Sequence, residues 1–216
     1  MLNELLKSLD VISPLLLLIC IHTSKKIVVR RDFFYWFIVT QAVLNNYAYI
    51  LDQHLDKDNL YVYHINCAIS FLIISEYFQN LLSIRKIKLV ISFILLFFIV
   101  FYIVNVFLWE DFNTFNSNSL GLASFIIILY CFLYYREQII HPATKKIIKS
   151  RNFWYVTALF TYFSSSFFIF ITYRYLTQSG VHNLGILWKI HNVFFFIMSV
   201  YIFIGFLCQP SQKKYK

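Results

Sequence analysis

Six apolar stretches, each long enough to cross the hydrocarbon core of a bilayer as a helix, dominate the chain: Phe33–Leu51, Leu60–Ser83, Leu89–Trp109, Leu120–Tyr135, Phe153–Tyr173 and Leu184–Leu207. A span needs roughly 20 apolar residues as an α-helix. In hydrocarbon every backbone N–H and C=O must bond within the protein, which leaves helices or a closed barrel. Unbroken apolar runs of this length choose the helix. A seventh stretch, Leu9–His22, is weaker, because its fully apolar core is only Val11–Ile21; it extends outward through Leu2–Leu9. The sequence therefore predicts an all-α polytopic membrane protein with seven transmembrane helices, one transmembrane domain over 1–216. Composition agrees: 13% of residues are charged, where a soluble domain carries about 25%.

The net charge of +9 would point to nucleic acid in a soluble protein. Its distribution gives another reading. Lys25, Lys26, Arg30 and Arg31 follow the first helix, and Arg85, Lys86 and Lys88 follow the third. Arg136, Lys145, Lys146, Lys149 and Arg151 follow the fifth; Lys213, Lys214 and Lys216 follow the seventh. The alternate loops hold Asp52, Asp56, Asp58, Glu110 and Asp111, with Lys57 and Arg174 as their bases. Positive charge retained inside predicts N-out/C-in in a bacterial inner (cytoplasmic) membrane. The bilayer is then the expected partner and nucleic acid is not, since short basic loops are explained by topology and anionic lipid. The start of the chain has no net basic region ahead of its apolar run, so that run reads as a retained helix and not a cleaved signal.

Two segments align without gaps at an offset of 120, "KKIVVRRDFFY" (25–35) and "KKIIKSRNFWY" (145–155), with six of eleven positions identical. A second echo pairs "YVYHIN" (61–66) with "LWKIHN" (187–192), at an offset of 127 between the histidines. Together they predict a 3+1+3 parallel internal repeat: repeat 1 over about 1–83, a linker helix over 89–109, and repeat 2 over about 118–208. Both triplets would start outside, related by an axis along the membrane normal.

This helix plan resembles that of the SWEET sugar transporters and the wider PQ-loop family. The resemblance is architectural and covers helix order. In those proteins asparagines on the third and seventh helices face the substrate, and it implies the same for Asn66 and Asn192. The Pro-Gln motif is missing from both triplets, and Pro14 is the one proline inside a predicted span.

Polar side chains deep in a bilayer are costly unless they find partners or water. The second helix carries Gln41, Asn45 and Asn46; the third carries His64, Asn66 and Ser70. The sixth carries Thr157, Thr161, Ser164 and Ser165; the seventh carries Lys189, His191, Asn192 and Ser199. Helical spacing lets each present a strip to the bundle interior. The expected ligand-binding set is Gln41, Asn45, His64, Asn66, Ser165, His191 and Asn192. The competing reading makes these groups interhelical glue, contributing about 0.6 kcal/mol per bond.

Cofactor chemistry finds little foothold. His22 and His141 fall on the inner side, and His54, His64, His182 and His191 on the outer. No HxxxH occurs, whereas zinc wants three or four protein ligands, so no metal or cofactor is expected. A retinal Schiff base is excluded because Lys189 lies near the outer end of its helix and Glu76 near the inner end of another. Lys189 is expected to snorkel outward and Glu76 to cap its helix beside Arg85. No phosphate-binding loop or nucleophile elbow is present. Two functions follow as expectations. One is a transporter- or receptor-like protein with a polar ligand site between the second, third, sixth and seventh helices. The other is a homo-oligomeric accessory or effector protein, pore-forming or defence-associated, without a small-molecule substrate.

Overall fold

The computed structural model describes residues 2–24, 32–142, 144, 146–180 and 184–208. Lys25, Lys26, Arg30, Arg31, Lys145, His182, Lys213, Lys214 and Lys216 fall outside this range. The structure is all-helical: α1 (Leu2–Lys7), α2 (Leu9–Thr23), α3 (Phe33–Leu55), α4 (Leu60–Leu81), α5 (Arg85–Leu108), α6 (Ser117–Ile140), a 3₁₀ turn (Ile147–Lys149), α7 (Arg151–Gln178) and α8 (Gly185–Leu207). Helices α5, α6, α7 and α8 are long and apolar enough to cross a membrane, which marks the chain as a membrane protein. Helices α3 and α4 match them in length, at 23 and 22 residues, or about 34 Å at 1.5 Å per residue. Their hydropathy is lowered by the amides and imidazole they carry. Those polar groups turn out to face inward.

Local chemistry sets the helix ends. Asp32 caps α3 by accepting from the Phe34 backbone N–H at 2.9 Å, a common N-cap arrangement. At the other end Asp56 adopts a left-handed conformation (φ 50°) and returns its N–H to Leu51 O, the αL stop seen at many helix C-termini. Pro14 lies inside α2 and has no N–H to offer the carbonyl four residues back. That carbonyl belongs to Asp10, and Asn45 Nδ2 from α3 donates to it at 3.0 Å. Likewise the last carbonyls of α1, where the chain breaks at Ser8, lack intrahelical donors. Asn192 Nδ2 from α8 donates to Leu6 O at 3.2 Å and Lys7 O at 2.9 Å. Two carboxamides thus mend the two interruptions in the N-terminal helical segment.

Helices pack in the order α2–α3–α4–α6–α7–α8 and back to α2, closing a six-membered ring. Helix α5 stands outside it against α4 and α6. Its outer surface carries Phe93, Leu96, Phe97, Phe107 and Leu108, each at least 59% exposed. An apolar band of that size is untenable in water and suits lipid. Lipid tails are as apolar as the side chains, so close packing and polar contacts, not water exclusion, hold the ring together.

One end of the bundle, the basic end, joins α4 to α5 and α6 to α7. There Phe34 of α3 stacks on Tyr155 of α7 with centroids 4.1 Å apart and 24° between planes, and meets Tyr77 of α4 edge-on at 4.9 Å. Gly205 lets α8 join this cluster, because a Cβ there would lie 2.5 Å from Tyr155 Cε1. Around it, Arg151 Nη1 pairs with Asp32 Oδ2 at 3.1 Å, and Tyr155 OH donates to the same oxygen at 3.0 Å. Tyr77 OH donates to Asn152 Oδ1 at 3.3 Å. These contacts tie the start of α3 to the start of α7.

At the opposite, acidic end Glu110 departs from a plain loop acid: it is fully buried. Its carboxylate accepts from Asn105 Nδ2 at 2.7 Å, from the Asn118 backbone N–H at 2.9 Å, and from Arg174 Nη1 at 3.4 Å. The Asn118 N–H lies in the first turn of α6, where a negative charge is favoured. One carboxylate therefore joins α5, α6 and α7.

Candidate functional site

Helices α3 and α4 meet through carboxamides. Gln41 Nε2 donates to Asn66 Oδ1 and to Ser70 Oγ, both at 2.8 Å. Asn66 Nδ2 donates back to Gln41 Oε1 at 3.1 Å and to Asn45 Oδ1 at 3.2 Å. Ser70 Oγ closes the circuit by donating to Asn66 Oδ1 at 2.9 Å. The spacing of four between Asn66 and Ser70, and between Gln41 and Asn45, places each pair on one helix face. Every amide nitrogen in the group therefore has a partner.

Across the ring, His191 of α8 bonds to α7 with both ring nitrogens. Nδ1 lies 3.1 Å from Ser166 Oγ and Nε2 3.3 Å from Tyr162 OH. Its ring stacks on Trp188 at 4.7 Å and 29°, with Phe170 at 5.2 Å. A histidine with both nitrogens engaged has no lone pair to give a metal. Among the described residues no group of three or more His, Cys, Asp or Glu side chains could hold a metal ion.

These two polar groups face one internal cavity. Gln41, Asn45, Asn66 and Ser70 line one side and Tyr162 and His191 the other. Phe37 of α3, Phe71 of α4, Phe163 and Phe170 of α7 and Phe195 of α8 contribute to the apolar wall. The space open to the centres of water-sized molecules is about 60 Å³. A wider vestibule of about 590 Å³ lies toward the acidic end, among Lys7, Tyr49, Asp52, Gln53 and Lys189. Asp10, Asn45, Tyr63 and Trp188 border both spaces, so they form the neck between them.

Four of the seven sequence-predicted site residues, Gln41, Asn45, Asn66 and His191, line the cavity. The other three do not. His64 is fully buried but turns to the α5–α6 loop, with Nε2 on Thr114 O at 2.9 Å and its ring beside Phe112. Asn192 serves the end of α1. Ser165 is half-buried and away from the cavity, while its neighbour Ser166 bonds His191. Asp10, Tyr162 and Trp188 were not singled out from sequence. Asp10 sits ahead of the apolar core and resembles an interfacial charge, and Tyr and Trp are common at span ends. Lys189 points outward as expected, donating to Asn3 Oδ1 at 3.3 Å. Glu76 accepts from Asn80 Nδ2 at 2.8 Å and remains exposed.

The fold and cavity define an all-helical membrane protein with a polar pocket inside a helix ring. No protein-family model matches the chain, and comparison with curated proteins and with solved structures gives no match. The likeness to the SWEET layout therefore has no counterpart among the solved structures.

Proposed function

We propose that this protein is a seven-span membrane protein that holds a small polar ligand in the central cavity, as a transporter or receptor does. One observation carries the reading: polar groups from four helices, α3, α4, α7 and α8, meet around a single cavity. Glue alone needs only pairwise contacts and leaves no room between them. The neck and vestibule supply a way in from the acidic end.

Orientation follows from charge. Arg85, Lys86, Lys88, Arg136, Lys146, Lys149 and Arg151 lie at the basic end of the bundle, which supports a cytoplasmic side for that end in a bacterial inner membrane and an outer side for the vestibule. The packing order supports the internal repeat. Exchanging the triplets α2–α4 and α6–α8 turns the α2–α8 interface into the α6–α4 interface, and both exist. On this reading the basic-end cluster of Phe34, Tyr77 and Tyr155 seals the cavity from the cytoplasm.

The test screens polar small molecules against purified protein for a saturable thermal shift. Asn66→Ala should abolish the shift of any hit while the unliganded protein still folds as a monodisperse species. A screen without hits, together with stable oligomers and conductance in planar bilayers, would replace this reading with the pore-forming one.

A further inference from the structure

We propose that the cavity takes a small organic cation, an alkylammonium group whose charge rests against the Asp10 carboxylate. This deepens the ligand-binding reading above and rests on it. Asp10 Oδ1 is buried and has no hydrogen-bond partner, although the residue's own carbonyl is fixed by Asn45. A buried carboxylate oxygen without a partner is unfavourable, while the residue as a whole stays part-exposed toward the vestibule. Something of opposite charge is therefore wanted beside it, in the neck it shares with Asn45, Tyr63 and Trp188.

The chain supplies no such charge in the inner cavity, whose lining contains neither lysine nor arginine. Lys7 and Lys189 border the vestibule only, and Lys189 is bound to Asn3. The remaining walls suit a cation with an apolar skin. Tyr63 and Trp188 meet edge-to-face at 5.6 Å and 89° beside Asp10, and Tyr162, Phe170 and Phe195 continue the lining inward. Aromatic faces attract ammonium groups through their quadrupoles, most strongly where water is excluded.

Charge narrows the class. Anions are disfavoured by Asp10 and by the missing basic groups. The amides of Gln41 and Asn66 are already satisfied by each other, which leaves Asp10 as the group with unspent affinity.

The test titrates purified full-length protein in lipid nanodiscs with tetramethylammonium chloride, tert-butanol and sodium acetate. The three probes are similar in size and differ in charge. Tetramethylammonium should bind saturably at least tenfold more tightly than tert-butanol, and acetate should not bind. Asp10→Asn should lower the tetramethylammonium affinity at least tenfold while preserving the unliganded melting temperature. If that variant does not fold, the wild-type preference for cation over tert-butanol decides alone. Equal or tighter binding of tert-butanol or acetate overturns the cation assignment and leaves the ligand-binding reading standing. Binding of none of the three also overturns it, and the polar-ligand screen then decides separately whether the cavity binds anything.

Discussion

Gln41 and Asn66 exchange hydrogen bonds in both directions, one at 2.8 Å and the return at 3.1 Å, joining α3 to α4 through two side-chain amides. A reciprocal amide pair satisfies most of its own polar atoms and needs no water. It also makes each partner's fate depend on the other.

Replacing Gln41 or Asn66 singly by alanine should therefore destabilise the protein by more than the mean interhelical bond of about 0.6 kcal/mol. The orphaned amide adds a desolvation cost, up to about 3 kcal/mol. The double alanine variant should be less destabilised than the sum of the two, by at least ~0.5 kcal/mol. Thermal or denaturant unfolding of the four proteins in one detergent measures the coupling, and strict additivity would contradict a working pair.

At the basic end, Arg151→Ala should destabilise more than Asp32→Asn. The first leaves a carboxylate only 10% exposed without its counter-charge, whereas the second keeps an acceptor for Phe34 N–H and Tyr155 OH. Bonds to charged groups are worth about 1.5–3 kcal/mol each. Unfolding midpoints of the two variants, measured side by side, check the order.

Glu110→Gln should loosen the acidic end. The neutral amide accepts less strongly from the α6 N-terminus and leaves Arg174 without its partner, a loss on the order of 2 kcal/mol or more. Hydrogen exchange should rise in residues 109–118 and stay unchanged near Tyr155. Uniform protection across both ends would rule out the role assigned to Glu110.

Gly205→Ala places a methyl against the Tyr155 ring and should cost about 1–3 kcal/mol through overpacking. Gly121→Ala meets Ile171 Cγ2, a methyl held on a β-branched carbon whose χ1 is stiff in a helix, and should cost a similar amount. Melting temperatures of the two variants check this, and an unchanged value for either would contradict the close approach assigned to that glycine.

Most of this architecture was legible in the sequence, because lipid-spanning helices announce themselves by apolar length alone. Six predicted segments overlap α3–α8, with ends that differ by up to five residues: α3 starts at Phe33 as predicted, after its Asp32 cap, and runs on to Leu55, where Asp56 stops it, while α4 ends at Leu81, short of Ser83. The site was half legible. Gln41, Asn45, Asn66 and His191 emerged because polar groups in apolar helices turn inward. Ser165 and Ser166 could not be told apart, since neighbouring residues differ by roughly 100° around a helix, and α7 carries serines at 164, 165 and 166 on successive faces, which leaves its rotation open. Asn192 looked like the partner of Asn66 by position. Its use is decided by the break after Lys7, which depends on how α1 meets α8 and has no mark in local sequence. Asp10 was hidden for a similar reason: its importance comes from the neck it borders.

Helix α5 packs mainly on α4 and α6 and is the least buried of the four helices apolar enough to cross a membrane. Its side chains therefore answer to a fluid solvent instead of fixed neighbours, and leucine, phenylalanine or isoleucine serve there almost interchangeably. Evolutionary drift should concentrate on this helix, and a synthetic apolar helix of the same length in its place should leave the ring of α2, α3, α4, α6, α7 and α8 able to assemble.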